Sequence, residues 1–203
     1  LLSPPDHRVV FVTSALLNMS LSAYYPFTVL HMEDLGVKHV TVMMAAGQIT
    51  EIIAMFSLST LLARVRLKWV FLAGIGFGVV RYLLFCLDTV PALLVGVLLH
   101  GLCFTLFFVT AQIYLEQRIP PEMRARAQSL LTLMMSGIGT LVGTLGAGWW
   151  RVACRVEGRT DWHDFWLGMT GLTVVVFVFF AAAYKGRRRE ATDAQAPVTE
   201  LLR

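Results

Sequence analysis

Charge is scarce in this chain. Of its 203 residues 17 are Lys or Arg and 13 are Asp or Glu, a charged share of 15% beside 57% hydrophobic residues, and the mean hydropathy is +0.68. Soluble domains carry about 25% charged residues, so the composition excludes an ordinary water-soluble protein. Cysteine is sparse as well. Cys86, Cys103 and Cys154 show no C-x-x-C spacing, which leaves no signature of a metal site or a redox dithiol, and no cofactor is implied. A second carboxylate cluster, a metal-ligand motif and a Ser/Lys nucleophile pairing are also missing, which argues against an enzyme. The apolar runs do not alternate with polar residues over about 10 positions, which excludes a membrane barrel. The chain opens on Leu1-Leu2-Ser3-Pro4-Pro5 without an initiator Met or a signal-peptide pattern, so residues 1–8 read as a linker from a preceding segment of a longer protein.

What the sequence does have is long apolar stretches, at approximately residues 9–30, 39–62, 67–87, 91–115, 127–150 and 165–184. Each holds about 20 residues or more and, at roughly 1.5 Å per residue, crosses a hydrocarbon core about 30 Å thick. The expectation is an all-α membrane protein of six transmembrane helices over residues 9–185. Short connections such as Glu33-Asp34-Leu35-Gly36 and Ile119-Pro120-Pro121 leave no room for a soluble domain.

Orientation follows from basic residues in the loops. One side carries Arg8, Arg64, Arg66, Lys68, Arg118, Arg124, Arg126, Lys185, Arg187, Arg188 and Arg189, against Lys38, Arg151, Arg155 and Arg159 on the other. Eleven against four places both ends in the cytoplasm. The basic cluster opening the tail, residues 186–203, reads as an anchor near anionic lipid and not as a nucleic-acid site, and the remainder reads as disordered.

Polar residues inside the spans are the candidates for function. Ser14, Asn18, Ser22 and Tyr25 form one stripe on the first helix, and Met44, Gln48, Glu51 and Met55 another on the second. On the fourth, His100, Phe104, Phe107 and Ala111 share a face. Asn18, Glu51 and His100 each fall roughly 13 to 18 Å from one helix end at 1.5 Å per residue, so all three approach mid-bilayer. A carboxylate at that depth is too short to reach either surface, and it is tolerated where it faces a bundle interior or a water-filled cavity. Asn18 admits two readings, ligand contact or interhelical glue, and His100 likewise reads as a proton relay or a satisfied interior histidine. Arg81, only about 10 Å from the outer end of its helix at 1.5 Å per residue, is expected to lift its guanidinium to the interface. Gly139 and Gly143 make a small-residue step for close packing or bending.

The segment Ile119-Pro120-Pro121-Glu122-Met123-Arg124-Ala125-Arg126-Ala127-Gln128-Ser129-Leu130, followed by a glycine-rich helix, resembles the join between the tenth and eleventh helices of the major facilitator superfamily. With Gly47-Gln48-Ile49-Thr50-Glu51, Arg81-Tyr82-Leu83-Leu84-Phe85 and Thr160-Asp161-Trp162, the chain is similar to the C-terminal six-helix half of bacterial nucleoside:proton symporters. The resemblance implies a missing N-terminal six-helix half and residence in the inner membrane of a bacterium. It also implies symport of a nucleoside-like metabolite with protons by alternating access. Gln48, Glu51, Asn18 and Phe104 match that family's substrate-binding positions. His100 joins them as a substrate-binding candidate, Glu51 and His100 are the proton-coupling candidates, and Arg81, Arg124, Arg126, Gly139 and Gly143 are gating or structural. Three positions depart from the pattern: Ala15 stands in place of a glutamine, His100 of a tyrosine and Thr105 of an aspartate. The alternatives are transport of another substrate such as a sugar, a membrane partner or sensor, and a membrane enzyme using Glu51 and His100 as acid and base.

Overall fold

The computed structural model describes residues 4–186. The first apolar stretch is two helices, α1 (Pro5–Leu21) and α2 (Tyr24–Asp34). Pro26 supplies the cause, because it has no amide to give the Ser22 carbonyl one turn back and its ring crowds that carbonyl. α1 begins at Pro5 and so takes in residues expected as linker; proline in a first turn gives up an amide that has no helical partner anyway. Next come α3 (Val40–Arg64) and α4 (Leu67–Phe85). The fourth stretch joins α5 (Val90–Phe104), a π-helical turn (Thr105–Val109) and α6 (Thr110–Arg118). The fifth joins α7 (Pro121–Thr132), a second π-helical turn (Leu133–Gly139) and α8 (Thr140–Ala153), and α9 (Trp162–Ala183) closes the bundle.

Between α8 and α9 lies a feature absent from the sequence reading. Strand β1 (Arg155–Val156) pairs antiparallel with β2 (Arg159–Thr160). Glu157 and Gly158 turn the corner with φ of 50° and 82°, the left-handed pair that a two-residue hairpin needs to match strand twist.

α4 is the centre of the bundle, packed against α5 on one side and α9 on the other. Its Phe71, Ile75, Tyr82 and Phe85 are fully buried. The Phe71 ring lies 5.2 Å from Phe107 and 5.3 Å from Phe180, which ties three stretches into one core. α1 rests on α8, the second π turn and α9, while α3 lies against α5. That last contact is close: a methyl on Gly101 would collide with the Glu51 amide nitrogen, and Thr50 Oγ1 donates to the Leu98 carbonyl at 2.5 Å. The outer face of α3 carries Val42, Ile49, Ile53 and Phe56, all exposed. An apolar face left uncovered by its own chain suits lipid or another apolar helix.

At the end of the bundle where α1 begins and α9 ends, Lys68 Nζ donates to the Ala181 carbonyl at 2.7 Å and the Lys185 amide to Asp6 Oδ1 at 3.1 Å. Arg124 closes the α6–α7 corner, its Nε donating to the Ile119 carbonyl at 3.1 Å and its Nη1 lying 3.1 Å from Glu116 Oε1. Arg126 is exposed nearby. Arg187, Arg188 and Arg189, and with them nearly all of the expected tail, lie outside the described residues.

Candidate functional site

A cavity of about 310 Å³ opens where α1, α2, α5 and α8 meet, lined by Asn18, Ser22, Tyr25, His100, Phe104, Phe108, Thr140 and Thr144 among others. It therefore brings together Asn18, His100 and Phe104. Its volume is at the lower end for small-molecule pockets, about 300–1,000 Å³.

The aromatic wall differs from the expected one. On an unbroken α-helix His100, Phe104, Phe107 and Ala111 would share a face. The π turn Thr105–Val109 inserts an extra residue into the winding. Phe108 consequently follows Phe104 on the cavity side, with ring centroids 5.6 Å apart, and Phe107 turns into the core against Phe71. Ala111 is fully buried.

Asn18 is committed to the fold. Its Nδ2 donates to the Met135 carbonyl and to Thr140 Oγ1, both at 2.8 Å. Met135 belongs to the second π turn, where carbonyls leave the regular ladder and need another donor. Both amide hydrogens are thus spent on joining α1 to the glycine-rich stretch, and Oδ1 is what remains for another donor. Gly139 and Gly143 permit that approach: a methyl on Gly139 would sit 3.0 Å from the Ala15 carbonyl, and one on Gly143 would run into the Met19 carbonyl and Ser22 Oγ. These glycines and Ala15 therefore form a packing face.

Arg81 does not reach the interface as expected. It is fully buried, its guanidinium carbon 4.6 Å from the Tyr24 ring centroid and 4.5 Å from that of Tyr82. Two ring faces and an imidazole replace the water it would find at the surface. Its Nη1 lies 2.8 Å from His100 Nδ1, while among the described residues Nε and Nη2 have no hydrogen-bond partner. His100 Nε2 is in turn 3.0 Å from the Tyr25 hydroxyl, and the Tyr24 ring stacks on the imidazole at 4.2 Å. Tyr25 carries the stripe of the first helix into this network. Sequence spacing could place it on that stripe but could not supply its partners.

Gln48 and Glu51 are not among the residues lining this cavity. Gln48 is exposed and Glu51 half-buried, and among the described residues the Glu51 carboxylate has no hydrogen-bond or ion-pair partner. Glu51 does lie within electrostatic reach of the Tyr25 hydroxyl. Thr105 is fully buried. Of the three departures from the family pattern, His100 alone lines the cavity. Among the described residues no group of three or more His, Cys, Asp or Glu side chains is placed to hold a metal ion.

A second polar network, which no spacing in the sequence predicts, sits at the opposite end of the bundle from the start of α1. His31 is fully buried. Its Nδ1 accepts from Trp166 Nε1 at 2.9 Å and its Nε2 lies 2.5 Å from Asp88 Oδ1. Trp162 Nε1 donates to Asp34 Oδ2 at 2.8 Å beside a polar cavity of about 490 Å³ that Arg151, Arg155 and Arg159 also line.

A bundle whose described residues include five helices long and apolar enough to cross a membrane, with a polar and aromatic cavity between its helices, is of the helical membrane-protein class. More narrowly, the chain belongs to the nucleoside H+ symporter family, whose model matches residues 1–189. It is 31% identical over 204 residues to YegT of Escherichia coli (strain K12), covering 95% of this chain and 48% of that protein. Against the nucleoside permease NupG of Escherichia coli (strain K12) it is 28% identical over 192 residues, covering 87% of this chain and 46% of the relative. A crystal structure of a mutant of the nucleoside transporter NupG superposes with a TM-score of 0.82 at 25% identity, over 89% of this chain and 48% of that one. The chain spans about half the length of the curated relatives it matches.

Proposed function

We propose that this bundle forms one wall of a secondary transporter that moves a nucleoside together with a proton across the inner membrane of a bacterium by alternating access. Both ends of the chain are then cytoplasmic, a second bundle faces the exposed apolar sides, and the activity is transport without covalent chemistry. The observation that carries the reading is the cavity wall itself. His100, Phe104 and Phe108 bring rings suited to a base to the cavity, and Asn18, Thr140 and Thr144 bring to the same cavity oxygens suited to a sugar's hydroxyls. A sugar transporter would have less use for three neighbouring rings, and a membrane partner less use for a cavity.

The coupling proton is assigned to Glu51. Its carboxylate is half-buried and near Tyr25 and among the described residues has no ion-pair partner, so it is neither sealed into packing nor neutralised there by a cation. His100 is the poorer carrier, because its Nδ1 already faces Arg81, which has only hydrogens to offer. In proteoliposomes holding the full-length protein, Glu51→Gln should retain counterflow of labelled uridine while uptake driven by a pH gradient falls at least about tenfold. Unimpaired pH-driven uptake refutes the role of Glu51. Wild-type protein that exchanges a sugar but no nucleoside moves the assignment to the sugar reading.

A further inference from the structure

The cavity holds a chain of hydrogen bonds whose direction chemistry dictates. Arg81 Nη1 is 2.8 Å from His100 Nδ1. A guanidinium has five N–H groups and no acceptor, so Nδ1 must supply the lone pair and the ring hydrogen must sit on Nε2. Nε2 is 3.0 Å from the Tyr25 oxygen. It can therefore only donate, and the hydroxyl oxygen can only accept. A phenol has one hydrogen of its own, which must then point away from His100. Tyr25 is 52% exposed, lines the cavity, and among the described residues has no second hydrogen-bond partner. Turning the imidazole over would set ring carbons against Arg81 Nη1 and the Tyr25 oxygen and lose both contacts.

We infer that Tyr25 presents its O–H to the ligand as an obligatory donor, and that it selects nucleosides whose base carries a carbonyl oxygen where others carry an amino group. Arg81 and His100 are positioning residues for it. The inference rests on the nucleoside reading above and deepens it. A base amino group meeting this hydroxyl would set donor against donor, whereas a carbonyl completes the chain, and bonds in such a chain polarise one another. Asn18 complements the arrangement: with its amide hydrogens spent on Met135 and Thr140, it has an acceptor left to offer.

The test is binding and counterflow of uridine and cytidine by the full-length protein. Wild type should bind uridine about fivefold to tenfold more tightly, the worth of one neutral hydrogen bond. Tyr25→Phe, which changes one half-exposed atom, should weaken uridine by that factor and leave cytidine as tight or tighter. His100→Gln preserves the direction, since its amide oxygen can accept from Arg81 while its amide nitrogen donates to Tyr25, and should keep the uridine preference. His100→Glu reverses it, because a carboxylate accepts from both neighbours and captures the Tyr25 hydrogen. That variant should favour cytidine. Equal affinity of the wild type for the two nucleosides, or a Tyr25→Phe effect that is equal on both or absent, overturns the relay while nucleoside exchange stands. A wild type that neither binds nor exchanges any nucleoside removes the functional reading and this inference with it.

Discussion

Two buried histidines in this bundle are wired alike and end differently. His100, between the helices, accepts at Nδ1 from Arg81 and has its Nε2 against the Tyr25 hydroxyl; His31, near the loop end, accepts at Nδ1 from Trp166 and has its Nε2 against the Asp88 carboxylate. Both donors lack any acceptor lone pair, so both imidazoles are held with the hydrogen on Nε2. The difference is the last member. A hydroxyl that accepts still has a hydrogen to pass on, whereas a carboxylate has none. One network therefore offers a hydrogen to its cavity, while the other ends on a carboxylate at the edge of the polar cavity near the loops and ties together α2, α9 and the corner before α5. Unmet polarity divides the same way: among the described residues Arg81 Nε and Nη2 and the Tyr24 hydroxyl lack partners, while each ring nitrogen of His31, Trp162 and Trp166 has one. Buried groups left unpaired in one conformation give a moving bundle something to pair in another.

The comparison breaks most visibly at Arg81. Arg81→Ala opens a hole between the Tyr24 and Tyr82 rings and strands His100 Nδ1. Truncation of that size in a packed interior costs on the order of 2–5 kcal/mol, which should lower the midpoint of thermal unfolding in detergent by about 6–15 °C. Arg81→Met refills the space without a donor. It should recover most of that stability, yet leave the uridine preference low because His100 is free to take either tautomer. Full recovery of both would show that the guanidinium is needed only for bulk, and the parallel with Trp166 would end there.

How much of this could be read beforehand depends on which force sets each feature. The bilayer demands apolar runs of a certain length, and the six stretches and their short corners were legible for that reason. The break before Tyr24 was legible in principle, since Pro26 forbids a regular turn at Ser22. Neither π turn was: Thr105–Val109 and Leu133–Gly139 have ordinary helical composition, and it is the neighbours that stabilise the shifted carbonyls, as Asn18 does for Met135. Depth alone picked out Asn18 and His100 and periodicity picked out Phe104, because these depend on one helix at a time. Arg81 was misread because its partners Tyr24, Tyr82 and His100 come from three different stretches. Glu51 and Gln48 lie apart from the cavity that holds the other candidates, and helix periodicity carries no information about which faces meet.

A smaller effect should follow from cutting the joint at His31. His31→Phe keeps the ring stacked on Trp162, now 4.8 Å away, but unpairs Trp166 Nε1 in a fully buried site. A stranded buried donor costs about 1–3 kcal/mol. The unfolding midpoint should fall by about 3–8 °C at that cost, given the per-residue entropy of a chain this size. Uridine counterflow and the uridine-to-cytidine ratio should not move. A change in that ratio would mean that the joint and the cavity are coupled, and the two networks would then be parts of one device.

The smallest effect belongs to Asp88→Asn, and its smallness is informative. An asparagine oxygen accepts from His31 Nε2 as a carboxylate does, so the hydrogen bond survives the loss of charge. Asp88 is 54% exposed in its side chain, where water screens most of an ion pair and leaves about 0–1 kcal/mol. Its φ of 53° is also a conformation that asparagine tolerates well. The unfolding midpoint should therefore stay within about 2 °C of wild type. A loss as large as that of His31→Phe would mean that the joint runs on a charged imidazolium facing a carboxylate. That state needs a hydrogen on Nδ1, where Trp166 already places one, so the Trp166 bond would have to be absent in solution and the shared wiring of the two histidines would be lost.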